Sequence, residues 1–167
     1  RIDVGLDIES ANISLLEEQA KPTEGSAFLM ATIPEGKHYD YQVDALTLAG
    51  FVGANDAVND HIALTGGVRL ENIDYEYTNK INSGRVDEAG NECGFGGCRF
   101  SRPDSQNDSF TIASPKLGLV YQQENSAAFI NVSHGFRAPQ TTELYRLQRE
   151  QLVSDLKPEE LVGIDAS

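Results

Sequence analysis

The chain reads as an all-β protein: an antiparallel up-and-down meander of about six strands, forming a partial wall of a transmembrane β-barrel with long extracellular loops. Three observations carry this reading. Apolar and polar residues alternate over segments longer than the about five or six residues of an ordinary soluble strand. The connections between those segments run alternately long and short. Hydrophobic residues make up 40% of the 167 positions, yet no run approaches the ~18–20 apolar residues of a membrane helix. A barrel strand carries its apolar residues at every second position, so the three observations agree.

The first strand is expected over about 2–16, with Ile2, Val4, Leu6 and Ile8 opposite Asp3, Gly5, Asp7 and Glu9. The second, about 38–53, sets Tyr39, Tyr41, Val43, Ala45, Ala49 and Phe51 against Asp40, Gln42 and Asp44. The third, about 60–78, sets Ile62, Leu64, Val68 and Leu70 against Thr65, Arg69 and Glu71. After Leu70 the phase slips to Ile73, Tyr75 and Tyr77, which predicts either a bulge or an exit from the bilayer. The fourth covers about 110–122 with Leu117, Leu119 and Tyr121, the fifth 127–137, and a sixth begins near Leu161. In the fifth, Ala128, Ile130, Val132, His134 and Phe136 share one face, and Phe129, Asn131, Ser133, Gly135 and Arg137 the other. Tyr39, Tyr41, Tyr75, Tyr77 and Tyr121 fall towards strand ends, where an aromatic girdle would meet the lipid–water interface.

The connections are long at 17–37, 79–109 and 138–160, and short at 54–59 and 123–126. Short turns on one side and long loops on the other are the barrel pattern. A secreted soluble β-sandwich serving as a binding or adhesion module is the alternative, since Greek-key crossovers imitate part of that pattern. The chain opens on Arg1 already in strand alternation and stops where a strand should be starting, so 1–167 is expected to be part of a barrel domain, incomplete at both ends. The net charge of −13 argues against a nucleic-acid partner, because phosphate binding needs a basic surface.

Cys93 and Cys98 enclose Gly94, Phe95, Gly96 and Gly97 in the middle of the longest loop. The glycines let the chain turn tightly enough for a disulfide, and metal or redox roles are the weaker readings. No His or further Cys lies nearby to complete a metal site, and a CxxC redox pair needs two spacers. Asp104, Asn107 and Asp108 are oxygen-bearing residues of the kind calcium takes, but such clusters ordinarily make turns. No serine sits in a nucleophile elbow, and His38, His61 and His134 fall in separate strands, so no catalytic residue, metal or cofactor is expected. If 123–126 is a periplasmic turn, the following strand rises outward and Arg137 faces the lumen. There it either makes a structural ion pair or meets an anionic ligand group, with Glu143 and Tyr145 as candidates for the same inner network.

Gly135-Phe136-Arg137-Ala138-Pro139-Gln140, Glu143-Leu144-Tyr145-Arg146-Leu147-Gln148 and Leu156-Lys157-Pro158-Glu159 follow one another in an order that resembles the TonB-dependent outer-membrane receptors. Ser114-Pro115-Lys116-Leu117-Gly118-Leu119-Val120-Tyr121 is similar to a strand of the same barrels. Tyr39–Asp44, Gly66–Glu71 and Tyr75–Tyr77 are weaker matches, and the likeness spans about 38–165. Arg69, in Gly67-Val68-Arg69, falls on the corresponding receptor strand and joins the lumen candidates. The resemblance implies a place in the outer membrane of a Gram-negative bacterium, in contact with its lipid. It implies active import of a scarce nutrient rather than catalysis, with ligand capture by extracellular loops. The TonB complex would act through a plug domain that these residues do not contain. Iron–siderophore complexes are the commonest cargo of such receptors; cobalamin, haem and carbohydrates are carried by others.

Overall fold

The structure, a computed structural model, describes residues 1–149, 151 and 155–167. Along the chain run β1 (Ile2–Gln19), α1 (Ala27–Thr32), β2 (Gly36–Ala57), β3 (Ile62–Asn79), β4 (Phe100–Ser101) and β5 (Gln106–Gln123). Then come β6 (Ser126–Arg137), α2 (Thr141–Tyr145), β7 (Leu147–Gln148) and β8 (Glu159–Ala166). Six strands form one open antiparallel sheet in the order β1-β2-β3-β5-β6-β8, while β4 and β7 make a separate two-stranded ladder. Each expected strand is present, and the two short helices and the small ladder occupy the long connections. Of the expected long connection 138–160, residues 150 and 152–154 lie outside the described residues. Among the described residues no helix is long and apolar enough to cross a membrane, which says nothing about strands.

Register sorts the side chains into two faces, because directly paired residues of neighbouring strands point the same way. Ile2 and Val4 pair with Ala54 and Val52, Val52 with Val68, Leu64 with Leu119, and Leu119 with Ile130. The outward face therefore gathers Val4, Leu6, Ile8, Leu48, Leu64, Leu70, Leu117, Ile130, Val162 and Ile164, all exposed. A soluble sheet would bury such a continuous belt; here no second sheet among the described residues covers it, as lipid does in a barrel. The inward face carries Asp3, Asp7, Glu9, Arg69, Glu71, Lys116, Arg137 and Asp165.

The phase slip in β3 has a plain cause. Pairing to β2 and to β5 runs through residues 70–77 without a register shift, so there is no bulge at Leu70. The environment changes instead. At about 3.3 Å per residue, β2 extends roughly 70 Å and β3 and β5 roughly 60 Å, far more than a tilted strand needs to cross a hydrocarbon core. Their upper parts leave the lipid. There the outward positions turn polar (Asp44, Asn72, Asp74, Glu76), and the inward ones turn apolar beneath the loops.

The same logic corrects the girdle. Tyr39, Tyr41 and Tyr77 are almost wholly buried on the inward face, and Tyr75 shares that face, while Tyr121 alone of the five is exposed on the outward face. The register shift that does occur lies at Glu17/Glu18, where His38 and Tyr39 together face one residue of β1. Both side chains are buried against Phe100, at 4.4 and 5.8 Å between ring centroids. A bulge at this point aims two successive residues at one core.

The lower end is tight. Asn59 accepts hydrogen bonds from the backbone N–H groups of His61 and Ile62, both at 2.9 Å, closing the β2–β3 turn with its own side chain. Only Glu124 and Asn125 separate the last paired residues of β5 and β6, Gln123 and Ser126. In the protein inserted in lipid vesicles, Leu117→Arg on the outward face should cost about 2–4 kcal/mol of folding stability. Thr65→Lys on the inward face should cost well under half of that. Equal costs in a urea titration would contradict the assignment of faces.

Candidate functional site

Above the belt, the inward wall of β2 and β3 supports a layer of loops. Tyr39, Tyr41, Val43 and Tyr77 pack with Cys98, Phe100, Leu144 and Tyr145 into one buried cluster. α2 supplies the last two: a five-residue helix that turns Thr141, Leu144 and Tyr145 into the wall. Tyr145 stacks on Tyr77 at 4.2 Å, nearly parallel, and its hydroxyl donates to Asp108 at 2.7 Å. Burial, and then the Asp108 carboxylate, push the Tyr145 phenol upward, so it stays protonated and a donor. The Tyr39 hydroxyl donates to the Leu147 carbonyl at 2.6 Å, pinning the chain as it leaves α2.

Three connections are tied into one body. β4 and β7 pair Phe100 with Gln148 and Ser101 with Leu147, joining loop 80–105 to loop 138–158. The N–H groups of Gly94 and Arg99 donate to the carbonyls of Ala31 and Thr32, at 2.9 and 2.8 Å, joining loop 80–105 to loop 20–35. Arg102 lies beneath, 2% exposed, with Phe100 5.1 Å from its guanidinium. It donates to the carbonyls of His38 (3.0 Å), Asn82 (2.5 Å), Val86 (2.7 Å) and Asp87 (3.2 Å), without a carboxylate partner among the described residues. Burial lowers its pKa, yet a guanidinium remains charged at any physiological pH.

Cys93 and Cys98 are joined by a disulfide, with Cα atoms 4.7 Å apart, and Gly96 and Gly97 at positive φ turn the chain back between them. Arg137, at the inward outer end of β6, donates to Glu143 at 3.1 Å and to Glu159 at 3.0 Å. Glu143 also accepts the Gln140 N–H at 2.7 Å; that backbone bond, then Arg137, holds its carboxyl below the usual carboxylate range. A cleft of about 410 Å³ opens here, lined by Arg137, Thr142, Glu143, Arg146, Lys157 and Glu159 among others. Arg146 itself bridges to Glu17 at 2.7 Å and lies over the Tyr39 ring.

So the fold brings Arg137 and Glu143 together and sends Tyr145 into the aromatic cluster. Arg69 lies apart, lower on the inward wall, bound to Asp7 and to Glu71 (2.8 Å) and lining a different cavity with Asp3 and Lys116. Asp108, one of the candidate calcium-type residues, accepts from Tyr145 and from Gln106. Among the described residues no group of three or more His, Cys, Asp or Glu is arranged to hold a metal ion. Sequence reasoning missed Arg102, Arg146 and Glu17, because each finds its partners across more than a dozen residues.

Residues 19–167 match the family model described as TonB dependent receptor-like, beta-barrel. The chain belongs to that family. Comparison with curated proteins and with solved structures finds no match. The barrels of this family serve TonB-dependent transport in the outer membrane of Gram-negative bacteria, so membership makes transport, not catalysis, the class of function. The single uncovered sheet with its outward apolar belt is the wall of such a receptor, not half of a sandwich.

Three substitutions test the loop assembly. In the full receptor, Arg102→Met should destabilise the loop layer by about 2–4 kcal/mol, since a buried carbonyl left without a donor costs roughly 1–3 kcal/mol. Limited proteolysis within 80–105 reads this out, and wild-type resistance would count against it. The Tyr77 hydroxyl is buried without a hydrogen-bond partner among the described residues. Tyr77→Phe should therefore be neutral or mildly stabilising, whereas Tyr145→Phe should cost about 1.5–3 kcal/mol by removing its bond to a carboxylate. Thermal unfolding of the two variants compares them directly.

Proposed function

We propose that residues 1–167 form one section of the receptor's barrel, continuing into further strands beyond β1 and β8, and that the receptor imports an iron–siderophore complex. Each edge strand of the sheet has a single neighbour, and a barrel leaves no edge unpaired in lipid. The observation that carries the reading is the cleft at the outer end of β6. It stands on the inward side, above the lipid belt, and sets Arg137, Arg146 and Lys157 beside Glu143 and Glu159 in a protein of net charge −13. An anionic chelate is a ligand that such a place attracts. Arg137 and Glu143 act there as a gate pair: the arginine is held ready by carboxylates that a ligand's own anionic group replaces. Arg69 and its carboxylates, lower on the same wall, meet the plug, through which the TonB complex acts. Tyr145 serves the site from behind by fixing α2.

The test is uptake in cells that lack the native receptor. Full-length receptor should restore accumulation of radiolabelled iron from a ferric siderophore, only when TonB is present, and Arg137→Ala should lower it by about tenfold. Accumulation independent of TonB, or none from any ferric chelate, would exclude the iron reading.

A further inference from the structure

Two hollows lie one above the other on the outward face of β1, β2 and β3. The lower, of about 650 Å³, is lined by Val4, Leu6, Gly50, Val52, Val68 and Leu70 among others. Register explains it. Leu6, Gly50 and Leu70 face one another across the three strands, and Val4, Val52 and Val68 form the next row below. Gly50 therefore leaves a gap one side chain deep between two leucines, and the outward side chains around it are all aliphatic. The upper hollow, of about 490 Å³, is lined by Ser10, Asp44, Leu46, Asp74, Glu76 and Ser109 among others. Gly50 and Leu46 stand roughly 13 Å apart along β2, at about 3.3 Å per residue, with exposed Leu48 between them.

The upper hollow holds negative charge that the wall does not neutralise. Asp44 pairs directly with Glu76 across β2 and β3, and Leu46 with Asp74. Like charges directly opposite on a sheet destabilise it. Asp44 accepts from the side-chain amides of Asn12 and Gln42, and Asp74 from that of Asn72. None of the three carboxylates has a basic partner among the described residues, and the register places none within reach. Of the lysines and arginines in the six strands, Arg69, Lys116 and Arg137 are inward, and Lys37 is bound to Asp40 at 2.7 Å. So an apolar groove in the lipid belt stands directly under an acidic hollow at the level where the outward face turns polar.

We infer that the two hollows together hold one lipid of the surrounding membrane, with a hydrocarbon chain in the Gly50 groove and an ammonium-bearing headgroup against Asp44, Asp74 and Glu76. Charge complementarity selects this occupant. An anionic headgroup meets three carboxylates, whereas an ammonium supplies their countercharge and donates to them. The groove below requires that ammonium to be joined to hydrocarbon. The roughly 13 Å between the hollows lies within the ~20 Å depth of one leaflet, headgroups included. A second copy of the protein would bring only Lys37 on its own outward sheet to meet the acids. The inference concerns the lipid side of the wall and is independent of the imported ligand.

The experiment is native mass spectrometry of the detergent-solubilised protein, stripped of lipid and titrated with dioleoyl phosphatidylethanolamine, phosphatidylcholine or phosphatidylglycerol. One phosphatidylethanolamine should be held about tenfold more tightly than phosphatidylglycerol. Phosphatidylcholine should fall between, because its quaternary ammonium keeps the charge but has no N–H to donate. Gly50→Leu fills the groove and should weaken phosphatidylethanolamine by about tenfold. The nearest atom that a Cβ at Gly50 would meet is the flexible end of Leu6, at 3.3 Å, so this variant should fold. Asp74→Asn combined with Glu76→Gln should abolish the preference between headgroups while phosphatidylglycerol binds at least as well as before. A wild-type unfolding temperature shows that both variants are folded. No retained lipid, equal retention of phosphatidylglycerol, an unaltered Gly50→Leu titration, or a headgroup preference that survives the double substitution overturns the inference. So does a dimer that Gly50→Leu dissociates, which assigns the groove to a second copy.

Discussion

An unbroken antiparallel ladder from β2 to β5 fixes everything else about this wall. In hydrocarbon each backbone N–H and C=O must be met by a neighbouring strand, so the register cannot slip within the lipid. One register then has to satisfy two environments. Below, the outward positions meet lipid and the inward ones a polar lumen; above, the outward positions meet water and the inward ones a packed layer of loops. The sequence reverses its hydrophobic face at that boundary while the backbone continues in phase.

The loop layer depends in turn on that reversal. Tyr39, Tyr41 and Tyr77 give the wall an aromatic surface only where the strands have left the lipid, and Tyr145 and Phe100 settle on it. Arg102 closes the arrangement from within. Its donors collect carbonyls that the irregular chain at 82–87 cannot satisfy by itself, together with one from β2. A fixed polar centre inside an otherwise aromatic cluster specifies one loop conformation, because any other leaves buried carbonyls or a buried charge without a partner.

Loops tied together in this way would suit the proposed role of presenting charge to a ligand. Arg137 is held between two carboxylates, so in the proposed role little side-chain freedom would remain to be lost on binding. The disulfide ring presents Phe95 in the same fixed way, and the bonds from Gly94 and Arg99 carry that order into loop 20–35. Loops 20–35, 80–105 and 138–158 carry eight basic and nine acidic residues above acidic strands, which in the proposed role would favour an anion's approach from the loop side.

Period-two alternation, strand lengths and the rhythm of the connections determined the meander and the face on which Arg137 lies. They are local properties, and a strand's two faces follow from its own residues. The pairing of Cys93 with Cys98 was equally legible, since the partners are close in the chain and glycines separate them. The meaning of the phase slip after Leu70 was not, because a bulge and a change of surroundings leave the same trace in the sequence. Nor could the tyrosines of β2 and β3 be told from an interfacial girdle until the loops lay over them. Arg102 drawing on carbonyls from two segments, Arg146 reaching Glu17, and Phe28 meeting Phe95 and Arg149 were decided by tertiary structure alone. Each joins residues whose proximity depends on how three long connections fold against one wall, and nothing local to any of them encodes that distance.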